Sequence, residues 1–468
     1  MFKAKVIVKR LQSPHQNESF TKFQPLNSAL RDEVFKVVAE IFDEHGGKAL
    51  LKSSGDVYIK PNGIDSKYYC FTRPELVEAV IAYWKKAGAR HIYLFENSTQ
   101  SNFTRMVFAL VGYTDICKKY GVTEIFLDEE KSVDFEFKGK KPEGEDEKGY
   151  RHTTFAIPKI IVDKLINEQD QNLYISLPKL KTHSMAGVTL GVKNQWAFPQ
   201  QNDRRPDHNW NLPYKLADVL GYLQPDFTLT EGIEATVFGH YPVTAFADKC
   251  IKPFKVLLGS TNVVAADLVG SRLFGLSVDD VPHLKVAIER GYSRGVNSLD
   301  DVEIAGDISD FTQRYDYDLV QEFPSDVQII KGKERLCAEG CKNNPLTLLQ
   351  VLTYDYNGKG GWTLIMGKGF DPSEIDAIQG RVLVMGRCAA TEIGDRLVSR
   401  LSKKNVYFSG HCNDLCATTN AMCHLTKISP LKLAPLPFFH TAKVYLTSLV
   451  KGTQANIPFL LADVFKVV

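Results

Sequence analysis

The chain has 468 residues, 44% of them hydrophobic and 24% charged, and its 57 Lys and Arg against 55 Asp and Glu leave a net charge of +2. Such a composition belongs to an ordinary globular protein and excludes a disordered or fibrous one. The near balance of charge argues against a nucleic-acid footprint or a polybasic membrane anchor, and no run of 18 apolar residues predicts a spanning helix.

The N-terminal MFKAKVIVKRLQ alternates apolar and basic residues and predicts a strand rather than a secretory signal, so the expected location is the cytoplasm. GDVYIKP predicts a strand closed by Pro61. RPELVEAVIAYWKKAGA follows with Leu76, Val77, Val80, Ile81 and Trp84 on one helical face, Pro74 in the first turn and Gly88 at the C-cap. HIYLFEN, VTEIFLD, QNLYISLPK, PDFTLTEG and FKVLLGS repeat one idea, an apolar strand running into a polar or Gly/Pro loop, and VVAADLVGSRLFG predicts a helix. This alternation predicts an α/β fold with a mainly parallel sheet.

Residues 131–153 are charged and Gly-rich and suit a hairpin or surface insertion. Residues 306–335 lack helical periodicity and follow a strand, DVEIAG, so they are expected to link two units. The expected larger unit spans 1–310. The expected smaller α/β unit spans 330–468, with strands in GWTLIMGKGF, RVLVMGRC and KNVYFSGHC and helices in TEIGDRLVSRLS and NDLCATTNAMCHL.

The richest segment for chemistry is YISLPKLKTHSMAGVTLGVKNQWAF at 174–198. A strand ends at Pro178, and Lys179, Lys181, His183, Lys193, Asn194 and Trp196 follow across a Gly-spaced stretch. Loops beyond the C-terminal ends of parallel strands are where open α/β sheets hold ligands. Lysines there suit an anion, and His183 suits proton transfer because imidazole titrates near neutrality. A solvated basic loop is the competing reading. Lys60 and Asn62 close a strand ahead of Arg73 and are expected to face the same cleft. Glu231 offers a carboxylate at a strand end, and Asp267 suits a structural hydrogen bond to a neighbouring loop. Trp196 and Trp210 suit an apolar wall or plain core packing.

KPN at 60–62, TRPELVEAVIAYWKKAGA, LPKLKTHSMAGVTLGVKNQWAF and STNVVAADLVGSRLFG together resemble the domain-of-unknown-function 362 family, over about residues 50–300. That resemblance implies a fold and an iron–sulfur centre more than a reaction. A more distant resemblance is to the nickel-pincer lactate racemase superfamily. Thr72-Arg73-Pro74 precedes a helix, and His183 is followed ten residues later by Lys193 across a Gly-rich loop. In the racemases such residues bind a substrate carboxylate and hold the pincer cofactor. Here HIYLFEN ends in Glu96-Asn97 where a Gly-Thr-His turn would stand, and His208 fits the spacing of a further site histidine only imperfectly. The likeness therefore carries an anion site with Arg73 and His208 among its substrate-binding residues, and argues against the nickel-pincer cofactor.

Nine cysteines in a chain without an export signal do not suit a disulfide framework. Six crowd into the C-terminal part. Cys337 and Cys341 are spaced to share a helical face, Cys388 and Cys412 each follow a strand, and Cys416 lies one turn into a helix, where its thiol favours the thiolate. Four such thiolates suit an iron–sulfur cluster, with [4Fe-4S] as one form, or Zn. The competing reading is that they are small buried apolar residues, as Cys423 is expected to be.

The expected function is a metal- or iron–sulfur-dependent enzyme acting on a small carboxylate or phosphate in an interdomain cleft. Lys60, Asn62, Arg73, Lys181, Asn194 and His208 would bind substrate, and His183 and Lys193 would be catalytic. Two alternatives stand beside it: an electron-transfer or cluster-carrier protein with a redox partner, and a non-catalytic anion sensor.

Overall fold

The computed structural model describes residues 3–15, 18–99, 102–136, 154–207, 211–409, 414–433 and 438–455. An α/β fold is present, with one large sheet of eleven strands and a separate sheet of four. In chain order the large sheet takes β1 (Ala4–Arg10), β2 (Asp56–Pro61), β3 (His91–Glu96) and β4 (Thr123–Phe126). Next comes a separate antiparallel pair: β5 (Ser132–Glu136), which falls in the described part of the segment expected to be a hairpin or insertion, pairs with β6 (Thr154–Pro158), just beyond that segment. The large sheet continues with β7 (Leu173–Leu177), β8 (Lys179–His183), β9 (Gly187–Val188), β10 (Phe227–Thr236), β11 (Ile251–Lys252), β12 (Val256–Ser260) and β13 (Val302–Ala305).

Its main path runs β13-β1-β12-β10-β7-β2-β3-β4. The block from β10 to β4 is parallel throughout, while β12 runs against both β1 and β10. From β2 the chain steps one way to β3 and β4, then returns to place β7 on the other side of β2. The order of strands therefore reverses between β2 and β7, and such a switch point opens a crevice at the strands' C-terminal ends.

Period-two alternation fills both faces. Val57 and Ile59 join the cluster of Trp84, Phe42 and Leu30 under helices Ser28–Glu44 and Pro74–Ala87, while Tyr58 between them joins the opposite cluster with Phe95, Tyr174 and Leu216. Helix Pro74–Ala87 has Pro at its start and ends on Gly88 at φ +94°, a conformation that costs glycine little.

The small sheet holds β14 (Val327–Lys331), β15 (Trp362–Met366), β16 (Arg381–Met385) and β17 (Val406–Phe408), all parallel. β14 lies inside the segment expected to be a linker. Its sequence, VQIIK, is short and neither strictly alternating nor continuously apolar, so it does not stand out as a strand. Helix Phe438–Val450 belongs to the C-terminal stretch but packs on the first sheet's side, where Tyr445 meets Phe103 edge-on at 5.6 Å and Thr453 donates to Asp128 at 2.6 Å. No helix among the described residues is long and apolar enough to cross a membrane.

Candidate functional site

At the switch point lies a cavity of about 80 Å³. β2 brings Lys60 and then Asn62, β3 brings Glu96 and then Asn97, and β8 brings Lys181 and His183. Lys193 and Asn194 come from the short helix Leu190–Asn194, Arg204 from helix Gln201–Asp207 and His240 from the turn after β10. Trp196 and Thr189 complete the polar lining used below. Every lining residue lies between 60 and 240, so the cavity is built on the first sheet rather than in a cleft between the two sheets. The C-terminal part approaches through Asn343, whose Nδ2 donates to the Ser184 carbonyl at 2.6 Å.

Helix Leu190–Asn194 is held by a carboxylate. Asp267 accepts from the Gly191 and Val192 N–H groups at 2.7 Å each, which satisfies two donors at the helix start. Burial pushes the Asp267 carboxyl up to about 7 against the pull of those two donors. Position 191 must be glycine, because a Cβ there would stand 2.6 Å from Val263 Cγ2 and 2.9 Å from Asp267 Oδ1. The structural role expected of Asp267 is the one it has.

Four cations line the cavity against one carboxylate. That carboxylate is already engaged: Glu96 takes Lys60 Nζ at 2.8 and 2.9 Å and the Gly63 N–H at 2.8 Å. Asn194 Oδ1 accepts from Lys60 at 3.1 Å and from Asn62 Nδ2 at 3.0 Å. Among the described residues Lys181 donates only to the Cys70 carbonyl, at 2.6 Å, and burial lowers its pKa to about 8. Arg204 NH2 meets the Ser98 carbonyl at 2.8 Å, and burial lowers its pKa to about 10. Burial, then Lys181, Arg204 and Lys60, push Lys193 down to about 7. Burial also holds Lys60 below its usual range, although Glu96 opposes it.

Among the described residues several polar atoms in this lining are buried without a partner: Arg204 Nε, Trp196 Nε1, Thr189 Oγ1 and Asn62 Oδ1. Native interiors pair nearly all such atoms, so a cluster of orphans around one cavity calls for an account. His183 is buried, accepts the Met185 N–H on Nδ1 at 3.1 Å and stacks on His240 at 3.8 Å between ring centres. In the neutral ring that bond places the proton on Nε2.

Of the residues expected at the site, Lys60, Asn62, Lys181, His183, Lys193 and Asn194 line the cavity. Arg73 does not. Its Nε donates to both Glu234 oxygens at 3.0 and 2.8 Å, its NH2 also binds Glu234, and NH1 donates to the Gln24 carbonyl at 3.1 Å. Glu234 also takes His15 Nε2 at 2.7 Å, and Lys179 bridges to Glu231 at 2.6 Å and Glu234 at 3.5 Å. Burial alone would lower the Arg73 pKa, but Glu234 outweighs it and raises the pKa, and the cations together hold Glu234 well below the carboxylate range despite its burial. Arg73 is thus consumed by carboxylates of β10, which the anion-site expectation did not foresee. His208 and Trp210 lie outside the described residues. Arg204 and His240 were not anticipated: each belongs to a polar stretch, QQNDRR or FGHYP, with no spacing that singles it out.

The cysteines follow the topology of the small sheet. Cys337 and Cys341 come after β14, Cys388 after β16 and Cys416 after β17, so all stand beyond C-terminal ends of parallel strands. Cys341 and Cys416 are buried, Cys337 and Cys388 partly exposed, and Cys423 sits in the apolar core. Cys412 lies outside the described residues. Among the described residues no three His, Cys, Asp or Glu side chains are grouped to hold a metal ion, so these thiols alone do not make a ligand set.

No curated protein matches the chain. A crystal structure of a protein from Thermotoga maritima, a Northeast Structural Genomics Consortium target, is 8% identical with a TM-score of 0.34, over 85% of this chain and 92% of that one. That likeness is too weak to carry an argument. Residues 57–272, the stretch that builds the switch point and its cavity, match the model of the family described as a domain of unknown function, DUF362.

Proposed function

We propose that the chain is an enzyme that binds a small carboxylate or phosphate in the cavity between β2 and β7 and moves a proton on it through His183. The observation that carries this reading is the excess of cations: Lys181, Lys193 and Arg204 face the cavity, and among the described residues none of them is ion-paired to a carboxylate. Burying uncompensated charge costs several kcal/mol per ion, so such a group persists where an anion completes it. Lys181 and Arg204 would hold the charged end of the substrate, with the Trp196 N–H as a neutral donor. Lys60 and Asn194 would fix Asn62. His183, with its ring set by Met185 and His240, would be the proton carrier, worth on the order of 100-fold or more in rate.

The iron–sulfur or zinc centre, and a redox partner with it, are proposals of a separate kind resting on Cys337, Cys341, Cys388, Cys412 and Cys416. No step here runs through a metal, and elemental analysis of anaerobically purified protein tests that reading by itself.

Calorimetry with phosphate and oxalate tests the anion site. Binding that weakens at least tenfold in Arg204→Ala and in Lys181→Met supports it. Absence of binding by either anion overturns it.

A further inference from the structure

Among the described residues the Lys193 amine has no hydrogen-bond or ion-pair partner, and this separates it from the other lysines of the cavity. Lys60 is tied to Glu96 and Asn194, and Lys181 donates to the Cys70 carbonyl. Lys193 is carried on a helix of five residues pinned by Asp267, so its backbone is fixed although its amine is unbonded. It lines the cavity together with the unpartnered Thr189 hydroxyl, Arg204 Nε and Trp196 Nε1.

Lys193 is half-buried at the cavity wall, and an amine kept among cations gives up its proton readily and so holds its lone pair, which is the condition for attack on a carbonyl. We propose that Lys193 Nζ is a nucleophile that forms a Schiff base with a small oxo acid whose carboxylate is held by Lys181 and Arg204. This rests on the anion-site reading and names the substrate class of that site.

In the step, the nitrogen lone pair forms a bond to the carbonyl carbon and the C=O π pair moves to oxygen. One proton passes from nitrogen to that oxygen, giving a carbinolamine. The C–O bond then breaks and water leaves with the second amine proton, so that amine and carbonyl become imine and water with no oxidant or reductant. His183 and the Thr189 hydroxyl, both in the lining, relay the protons. When the imine nitrogen then takes up a proton from water, the substrate's own carboxylate offsets the charge.

The groups that set the amine's charge are Lys181, Arg204 and Lys60 on the cationic side, with Glu96 opposite and already bonded to Lys60. His183 and His240 stand at the cavity wall. Buried His283 also feels Lys193 and, lowered to about 3 chiefly by its burial, stays neutral.

The test uses the full chain with pyruvate as probe and sodium borohydride as trap, followed by peptide mass mapping. The expected result is a reduced adduct on Lys193 in near-stoichiometric yield, with half-maximal yield near pH 7 and none in Lys193→Arg. Oxalate has no electrophilic ketone and should protect the wild-type protein. Adducts spread evenly over surface lysines, or no adduct from pyruvate, glyoxylate or acetoacetate, overturn the proposal. If oxalate still binds while trapping fails, the Schiff base falls and the anion site stands. If neither is seen, both fall. Should Lys193→Arg fold poorly, the protection by oxalate and the pH profile of the wild-type protein decide the matter without it.

Discussion

One strand, β8, serves two buried groups of charges that look alike in the sequence and behave oppositely in the fold. Lys179 enters a closed network in which Arg73, Lys179 and His15 meet Glu231 and Glu234. Two residues on, Lys181 enters a cavity whose only carboxylate is taken by Lys60. Both lysines are fully buried. The difference is in compensation, and it separates a charge group closed by its own acids from one that we propose a ligand completes. A buried cation says little by itself. The acids around it decide what it is for.

The sharpest way to break the comparison is to remove one partner from each group. Arg73→Ala leaves Glu234 and Glu231 buried with too little positive charge, and should lose about 3–5 kcal/mol of stability. Urea unfolding measures this, and a loss under about 1 kcal/mol would mean the network is not the structural element described.

Lys193→Met should do the reverse and raise stability, because it deletes a half-buried charge that stands among cations and has no ion-pair partner among the described residues. The native amine titrates at about 7, below its unfolded value near 10.4. Between those values the unfolded chain binds the extra proton, so wild-type stability from this group falls as pH drops from about 10 to 7. The gain from Lys193→Met is therefore largest below pH 7 and vanishes above about pH 10. A gain independent of pH would show that packing, not charge, is responsible.

Phosphate or oxalate at a hundred times its dissociation constant should add about 2.7 kcal/mol to the wild-type protein and far less to Lys181→Met. Equal gains in both would place the anion elsewhere.

Asp267→Asn is the mildest change. It keeps one acceptor for the helix at 190–194 and should cost about 1–2 kcal/mol near neutral pH. The native carboxyl titrates near 7, above its unfolded value of 3.8, so its contribution is fully present below pH 4 and fades as pH rises to 7. The variant should lack that fading limb in a pH series of unfolding curves.

Much of this was legible from local pattern. The strand–helix alternation, the Pro74 and Gly88 helix boundaries and six of the cavity residues follow from where apolar runs end. Arg73 was not legible, because its partner Glu234 lies 161 positions away and nothing near Arg73 announces it. Arg204 escaped for a like reason: it sits in a polar segment, and only the fold turns it toward β3. β14 was hidden because it is a short edge strand whose three apolar residues are split by Gln328 and divided between both faces of the sheet. Local spacing reports which residues stand at strand ends. Which charges they meet is settled by the order of strands.

The carboxylate that pins Lys193 belongs to a helix reached only 76 positions after Gly191. A chain still being synthesised therefore passes through a stage in which β2, β7 and β8 exist but the Lys193 helix has no anchor. Contacts of long sequence separation close late, because their loop entropy must be met first. The mutual repulsion of the cavity lysines is thus imposed only after the sheet that withstands it has been assembled. Until then Lys193 is an ordinary solvated amine that keeps its proton.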